Sequence, residues 1–196
     1  MGKLRLNTDD LKNLLTESLS ETYVIDKHLY DKKLCERSKV FRIGLILSRK
    51  IESNKSYSGY SVDCEYNKRG DYKKIISSKN PQSPDLMLHR RGDFSDENLL
   101  VVEFKVYSKK FYKKGFKNDI KKLQILTSKR EYNYKLGAHV CLCPSGYIIK
   151  WYQSGKPEQG FFIYSITLKK ELEESDPKLL DTKFIREYKR DKRTGQ

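Results

Sequence analysis

Two apolar runs separated by a polar connection, within residues 84–105, constrain the fold of this chain more than any other feature. Both runs are rich in aliphatic and β-branched residues, and the residues between them favour turns, so the pattern predicts a β-hairpin. If the hairpin is centred on Phe94, Asp85 lies opposite Glu103. Lys105 shares the strand face of Glu103, because side chains alternate across a strand. The sequence therefore predicts that two carboxylates and an ammonium group converge.

Such a convergence is costly on a largely apolar sheet. Carboxylates held close together repel each other and lose hydration, and a divalent cation is the usual remedy. Two oxygen ligands with open positions suit Mg²⁺ or Mn²⁺, which retain waters and take phosphate oxygens as further ligands. The alternative interpretation is that Asp85 and Glu103 are ordinary strand-edge residues and that Lys105 is a solvated lysine.

A segment before the hairpin supplies a third candidate carboxylate. Residues 34–51 predict a strongly apolar helix, on which Glu36 lies above Val40, Ile43 and Leu47. A carboxylate on that face is directed toward the interior of the protein. Glu36 also lies in the first turn, where the helix macrodipole favours a carboxylate that has no further role. The helical pattern alone leaves both interpretations open.

Pro84-Asp85 followed by Glu103-Phe104-Lys105 resembles the signature of the PD-(D/E)XK nuclease superfamily. The segment that begins at Glu36 resembles the first core helix of that superfamily, which in many members carries a glutamate that reaches the metal site. From Glu36 to Cys143 the predicted order of helix, three strands, helix and strand is also that of the common core. The resemblance implies an α/β fold with a restriction-endonuclease-like αβββαβ core, in which helices flank a central mixed sheet. The residue pattern after Cys143 adds extra C-terminal strands.

The resemblance also implies a function. We expect a metal-dependent endonuclease that hydrolyses phosphodiester bonds, of DNA in preference to RNA, with Asp85 and Glu103 holding Mg²⁺ (or Mn²⁺ as a substitute) and Glu36 acting directly or through water. Lys105 would position water, help to deprotonate it or stabilise the pentacovalent state. The alternatives are a non-catalytic nucleic-acid-binding domain and a nuclease-like subunit of a larger defence or repair assembly.

The charge of the chain favours a polyanionic partner. Its 196 residues contain 41 Lys and Arg against 26 Asp and Glu, a formal net charge of +15. Nucleic acid is favoured over a membrane, because no helix is predicted to be both strongly amphipathic and basic. The candidate contact surface is a lysine cluster interleaved with aromatic residues, Lys109, Lys110, Lys113 and Lys114. An ordinary basic loop anchored by aromatic residues is the alternative.

The length and the even composition predict one domain over residues 1–196. We expect a common core over about 34–143, an additional N-terminal helix at 8–23, and C-terminal strands and a basic tail as further additions. No run of 18 apolar residues and no signal peptide is recognised, so a cytoplasmic location is expected. A homodimer or a larger assembly is left open.

Two further patterns concern the elements around the hairpin. Asn118 or Asp119 is predicted to cap a helix that ends near Tyr132, and this helix should connect two parallel strands in a β-α-β crossover. Tyr60 to Tyr66 alternates as a half-buried strand, with Tyr60, Val62, Cys64 and Tyr66 on one face. Asp63 and Glu65, on the other face, are either solvated or additional members of the acidic site.

The four cysteines are expected to be reduced, as is usual in the cytoplasm. His139, Cys141 and Cys143 alternate on one face of a predicted strand, which permits a zinc site. Paired zinc ligands usually come from loops with a wider spacing, so small buried residues are the preferred interpretation.

Overall fold

The computed structural model describes residues 6–31, 35–66, 68–69, 72–73, 83–91, 98–106, 112–128, 132–144, 146–165 and 170–171. The helices are α1 (Thr8–Ile25), α2 (Lys27–Asp31), α3 (Glu36–Glu52) and α4 (Tyr112–Thr127), with a short 3-10 turn at Lys55–Tyr57. The strands are β1 (Ser61–Cys64), β2 (Lys68–Arg69), β3 (Tyr72–Lys73), β4 (Leu86–His89), β5 (Leu100–Val106), β6 (Leu136–Cys143), β7 (Gly146–Gln153), β8 (Lys156–Pro157), β9 (Phe162–Ser165) and β10 (Lys170–Glu171).

A mixed sheet forms the centre of the α/β fold. Its strand order is β1-β4-β5-β6-β7-β9-β10, with β8 paired to β7, while β2 and β3 form a separate small ribbon. Among the described strands, β5 and β6 are the parallel pair and the other pairs are antiparallel. The parallel pair is connected through α4, so the predicted β-α-β crossover between parallel strands is confirmed.

Helices cover both faces of the sheet. The larger apolar cluster joins α1 and α3 to sheet residues such as Leu100, Val102 and Phe104. The second cluster joins α4 to the opposite face, where Val101 lies on β5. Because side chains alternate along a strand, Glu103 and Lys105 project from the same face as Val101, toward α4.

The hairpin register agrees with the sequence prediction. Leu86 pairs with Val102 and Leu88 with Leu100, which sets Asp85 opposite Glu103. Close packing of α3 then brings a third segment to this region. A Cβ atom added to Gly44 of α3 would lie 3.1 Å from both Cys64 Sγ and Leu86 Cδ1, so glycine permits the approach of the helix to the sheet.

The first helix begins as predicted. Asn7 caps α1, since its side chain accepts a hydrogen bond from the Asp10 backbone N–H while the Asp10 carboxylate accepts one from the Asn7 N–H. The helix runs on to Ile25, slightly beyond the expected end at residue 23. None of the helices in the described part of the chain is long and apolar enough to cross a membrane.

Two predicted boundaries are wrong. The helix expected to start at Asn118 or Asp119 already begins at Tyr112 and ends at Thr127, so both residues lie within it. The strand expected to reach Tyr66 ends at Cys64, because Glu65 adopts a left-handed conformation with φ of 51°. Beyond that break Tyr66 packs against the α4-side cluster, whereas Val62 packs against the opposite one.

Candidate functional site

The four residues predicted to form the acidic site meet at one end of β5. Asp85 precedes β4, and its Oδ2 accepts a hydrogen bond of 2.7 Å from the Phe104 backbone N–H. Glu36 is the first residue of α3, and its Oε2 accepts one of 3.0 Å from the Val106 N–H. Both carboxylates are therefore fixed to the strand that carries Glu103 and Lys105. Glu36 is half-buried at the sheet rather than directed into bulk solvent.

Glu103 is the most deeply buried carboxylate of the group, with 1% of its surface exposed. Its Oε2 accepts a hydrogen bond of 2.8 Å from Lys122 Nζ, and Lys122 also donates to the Ser83 carbonyl at 3.2 Å. Its other oxygen, Oε1, is buried without a hydrogen-bond partner among the described residues. An unsatisfied carboxylate oxygen in the interior is costly, so this atom is a candidate for an additional ligand.

Lys105 is held by Asp119, which like Lys122 belongs to α4. Its Nζ lies 2.9 Å from Asp119 Oδ2 and 3.9 Å from Glu36 Oε1, and it donates to the Phe104 carbonyl at 3.0 Å. Asp119 is buried, and His139 Nε2 lies 3.8 Å from the same oxygen, beyond hydrogen-bond distance. The α4 helix therefore supplies a partner of opposite charge to each functional residue of β5, Asp119 to Lys105 and Lys122 to Glu103.

Burial raises the pKa values of three carboxylates in this group. Burial raises the pKa of Glu103 well above its ordinary value, and the nearby charge of Asp85 adds to the effect. Burial likewise raises the pKa of Asp85 and of Glu36, although backbone N–H groups and Lys105 oppose it. The protein thus holds these three carboxylates where ionisation is unfavourable without a further cation.

The pKa values of the groups nearer to α4 are displaced by their partners. Burial alone would lower the pKa of Lys105, but Asp119, followed by Glu36 and Asp85, raises it above the ordinary lysine value. Burial alone would raise the pKa of Asp119, whereas His139 and Lys105 bring it below its ordinary value. Burial lowers the pKa of His139. Lys105 and Asp119 therefore form an ion pair beside a histidine that burial favours in its neutral form.

The charge balance at this end of β5 fits a divalent cation. The group comprises four carboxylates and two ammonium groups: Glu36, Asp85, Glu103, Asp119, Lys105 and Lys122. If all six ionise, the sum is −2, and oxygen donors are the ligands that Mg²⁺ prefers. As they stand, however, no three His, Cys, Asp or Glu side chains in the described ranges are grouped closely enough to hold a metal. Coordination would therefore require side-chain adjustments around Asp85 and Glu103.

The acidic group opens to solvent through a hollow of about 430 Å³. Its lining comprises Glu36, Arg37, Val40, Phe41, Cys64, Glu65 and Asp85. Glu65 lies at this hollow and forms an ion pair of 3.0 Å with Arg37. Asp63 lies elsewhere, where it contacts Arg91 at 2.5 and 2.9 Å and His89 at 2.9 Å. Of these two additional acidic candidates, Glu65 is the one that lines the hollow of the predicted site.

The remaining candidates are not assembled into a site. Cys141 and Cys143 are buried free thiols, and they form no metal cluster with His139 among the residues that the structure describes. Lys109 and Lys110 lie outside the described residues. Lys113 and Lys114 belong to α4, but their side chains also lie outside the described part. The nucleic-acid contact predicted for this lysine cluster remains a prediction.

Sequence reasoning missed the contributions of Asp119 and Lys122. They are three positions apart and therefore share a helix face, and Leu123 and Leu126 continue that face toward the sheet. This helical spacing was the signal in the sequence that could have placed Asp119 and Lys122 next to the strand. An acidic residue near a predicted helix start is usually assigned to the cap, and a lysine in a helix is usually assigned to solvent.

Comparison with known proteins adds no family assignment. The chain matches none of the protein-family models searched, and no curated protein is significantly similar to it. The function must therefore be argued from the residues themselves.

Proposed function

We propose that the chain is a metal-dependent nuclease that hydrolyses phosphodiester bonds, with DNA as the preferred substrate, and that it acts in the cytoplasm. One observation carries the proposal: Asp85 and Glu103 face each other across the β4–β5 pair, and Lys105 projects beside them from the same strand face. Buried carboxylates with raised pKa values and an unsatisfied Glu103 oxygen support a divalent cation at this place.

The order of the core elements supports a relationship to the PD-(D/E)XK superfamily. Helix α3, strands β1, β4 and β5, helix α4 and strand β6 follow each other as in the αβββαβ core, with the β2–β3 ribbon inserted before β4. Asp85 and Glu103 occupy the positions of the motif carboxylates, and Lys105 that of the motif lysine. Membership of this superfamily is part of the proposal.

Each residue has a distinct role in the proposed reaction. Asp85 and Glu103 would hold Mg²⁺, with Glu36 contributing directly or through water. The bound cation would neutralise negative charge on the phosphate and make water more acidic. Lys105 would stabilise charge that builds on the phosphate oxygens, a role favoured by its ion pair with Asp119 because that pair orients Nζ as a cation.

Lys122 and Asp119 would act as positioning residues. Lys122 holds one Glu103 oxygen, which leaves the other available to the cation. Asp119 restricts the flexible Lys105 side chain to the acidic group. This preorganisation matters because a charge that is already in place does not have to reorganise during the reaction.

The proposal is tested with plasmid, linear duplex, single-stranded DNA and RNA, each incubated with Mg²⁺, Mn²⁺ or EDTA. We expect cleavage with either metal, none in EDTA and none by Asp85→Ala. Lys105→Ala should cleave about 10² to 10⁴-fold more slowly, since it loses help in the transition state but keeps the acidic ligands. Calorimetry with Mn²⁺ should show binding retained in Lys105→Ala and lost chiefly in Asp85→Ala.

The matched control is Lys121→Ala, which removes an exposed lysine beside the site helix face. It should cleave like the wild-type chain. Full activity of Lys105→Ala would reject the role of that lysine. A wild-type chain that binds nucleic acid but cleaves none of these substrates would instead favour the non-catalytic binding domain.

A further inference from the structure

The hollow beside Glu36 and Asp85 adjoins a second surface hollow along α3. This second hollow has a volume of about 640 Å³ and is lined by Asp26, His28, Leu29, Arg37, Ser38, Phe41 and Arg42. Arg37 and Phe41 line both hollows and lie one helical turn apart, on the same face of α3. They form a ridge between the acidic group and the neighbouring surface.

Phe41 is the aromatic member of the large apolar residues that are exposed in the described part of the chain. It is 62% exposed, while Val40 and Ile43 on the inner side of the same helix are buried in the core. It therefore contributes little to the packing of α3 and leaves most of its ring accessible to a binding partner. Exposed aromatic rings are used by proteins to stack on the bases of single-stranded nucleic acids.

Arg37 supplies positive charge next to this ring. Its side chain is 84% exposed, and its Nε pairs with Glu65, which is itself more than half exposed. Ion pairs between exposed groups are weak, so a phosphate can replace Glu65 as the partner of the guanidinium. Arg42 differs, since it pairs at 2.7 Å with the buried Asp26 and joins α3 to the end of α1.

We propose that Phe41 and Arg37 hold one unpaired nucleotide beside the scissile phosphate, Phe41 by stacking on the base and Arg37 by binding the phosphate. This inference rests on the proposed nuclease function for the identity of the adjacent acidic site. Bases within a continuous duplex have both faces covered by their neighbours, so only an unpaired or terminal base can stack on Phe41. The substrate class is therefore single-stranded DNA, or duplex DNA with an overhang or flap, and the net charge of +15 suits such a polyanion.

The test measures binding in EDTA, where no cleavage is expected, by fluorescence anisotropy of a labelled single-stranded oligonucleotide. Relaxed, covalently closed circular plasmid is the competitor, because it is duplex DNA that has no ends and no unpaired bases. Phe41→Ala should weaken binding of the single strand roughly 5- to 150-fold, as expected for one lost base stack, and change competition by the plasmid little. Phe41→Trp should retain binding, because it keeps an aromatic face.

Two controls separate stacking from general effects. Val24→Ala removes another exposed apolar side chain, 73% exposed on α1, and should bind like the wild-type chain. Thermal melting should be nearly unchanged in Phe41→Ala, because the ring contributes little to the core. Arg37→Gln should weaken binding and reduce its salt dependence by about one phosphate contact.

The inference is overturned if Phe41→Ala binds the single strand as well as the wild-type chain does, even when the wild-type chain cleaves DNA. It is also overturned if light scattering shows a dimer that Phe41→Ala dissociates, since the ring then belongs to an interface between copies. A chain that never cleaves but loses single-strand binding in Phe41→Ala would reject the nuclease proposal and keep this binding surface.

Discussion

Replacing Glu103 by glutamine should uncouple the stability of the protein from divalent cations. Glutamine keeps the shape of the side chain and an oxygen that can accept the hydrogen bond from Lys122. It removes one of the four carboxylates, so the formal sum of the group changes from −2 to −1. Since Glu103 is the most buried of them, we expect this change to remove most of the affinity for Mg²⁺ or Mn²⁺.

The expected magnitude follows from linkage between binding and folding. A cation at 100 times its dissociation constant stabilises the folded state by about 2.7 kcal/mol. For a chain of this size about 1 kcal/mol shifts the melting temperature by roughly 2–4 °C, so the wild-type chain should gain roughly 5–11 °C. If Glu103→Gln binds the cation about 100-fold more weakly, the gain at that concentration falls to about 0.4 kcal/mol, or roughly 1–2 °C.

Differential scanning fluorimetry with Mg²⁺ and Mn²⁺ titrations, and an EDTA baseline, measures this difference. In EDTA the melting temperature of Glu103→Gln should lie at or below that of the wild-type chain, because the relief of repulsion from Asp85 is opposed by the loss of the buried ion pair with Lys122. The metal-dependent gain of each chain is therefore measured from its own EDTA baseline. Glu52→Gln, at the far end of α3, is the control and should retain the full metal-dependent gain. A wild-type chain that neither cation stabilises, or a Glu103→Gln variant that gains as much as wild type, would refute the metal site.

Two further predictions concern the ion pairs Lys122–Glu103 and Arg91–Asp63. Lys122→Ala leaves the buried Glu103 without its cation and should destabilise the protein by about 3–5 kcal/mol in urea denaturation. The exposed Lys121→Ala should change stability by less than about 0.5 kcal/mol, and equal losses in the two variants would contradict the pairing. Arg91 lowers the pKa of Asp63, so the folded state favours the ionised form and this stabilisation is present above about pH 4. The stability advantage of wild type over Asp63→Asn, about 1–3 kcal/mol at neutral pH, should therefore shrink as pH falls below about 4, and an advantage independent of pH would exclude the ion pair as its cause.

The sheet register could be predicted because few alternatives existed. The runs around Leu86 and Leu100 each place apolar side chains on both faces, and a turn centred on Phe94 leaves one pairing that sets Asp85 opposite Glu103. A slip of one residue would move Asp85 away from its position opposite Glu103. The relative positions of these two carboxylates therefore depend mainly on local sequence.

The boundaries of α4 and β1 could not be predicted in the same way. Asp119 is an unfavourable residue inside a helix, but its buried contact with Lys105 lies in the middle of α4 and outweighs that preference. Glu65 ends β1 through a left-handed backbone conformation that no Gly or Asn signals. Both features depend on contacts between segments that are distant in the sequence.

The contribution of α4 to the site was hidden for a related reason. A buried lysine such as Lys122 is exceptional unless a carboxylate is already known to lie opposite it. The sequence indicates that Glu103 is buried, but its partner becomes evident only when α4 is placed across the parallel strands. Electrostatic partners across a helix and a sheet therefore require the tertiary structure.

The two ion pairs between α4 and β5 also restrict how this protein can change over evolution. Loss of Lys122 leaves a buried acid at 103, and loss of Asp119 leaves a lysine at 105 without its nearest anion. Substitutions at 103 and 122, or at 105 and 119, should therefore be tolerated more readily together than singly. Genetic drift in this helix is thereby tied to the strand opposite it, and a lineage that abandons the acidic site is free to replace both pairs with apolar residues.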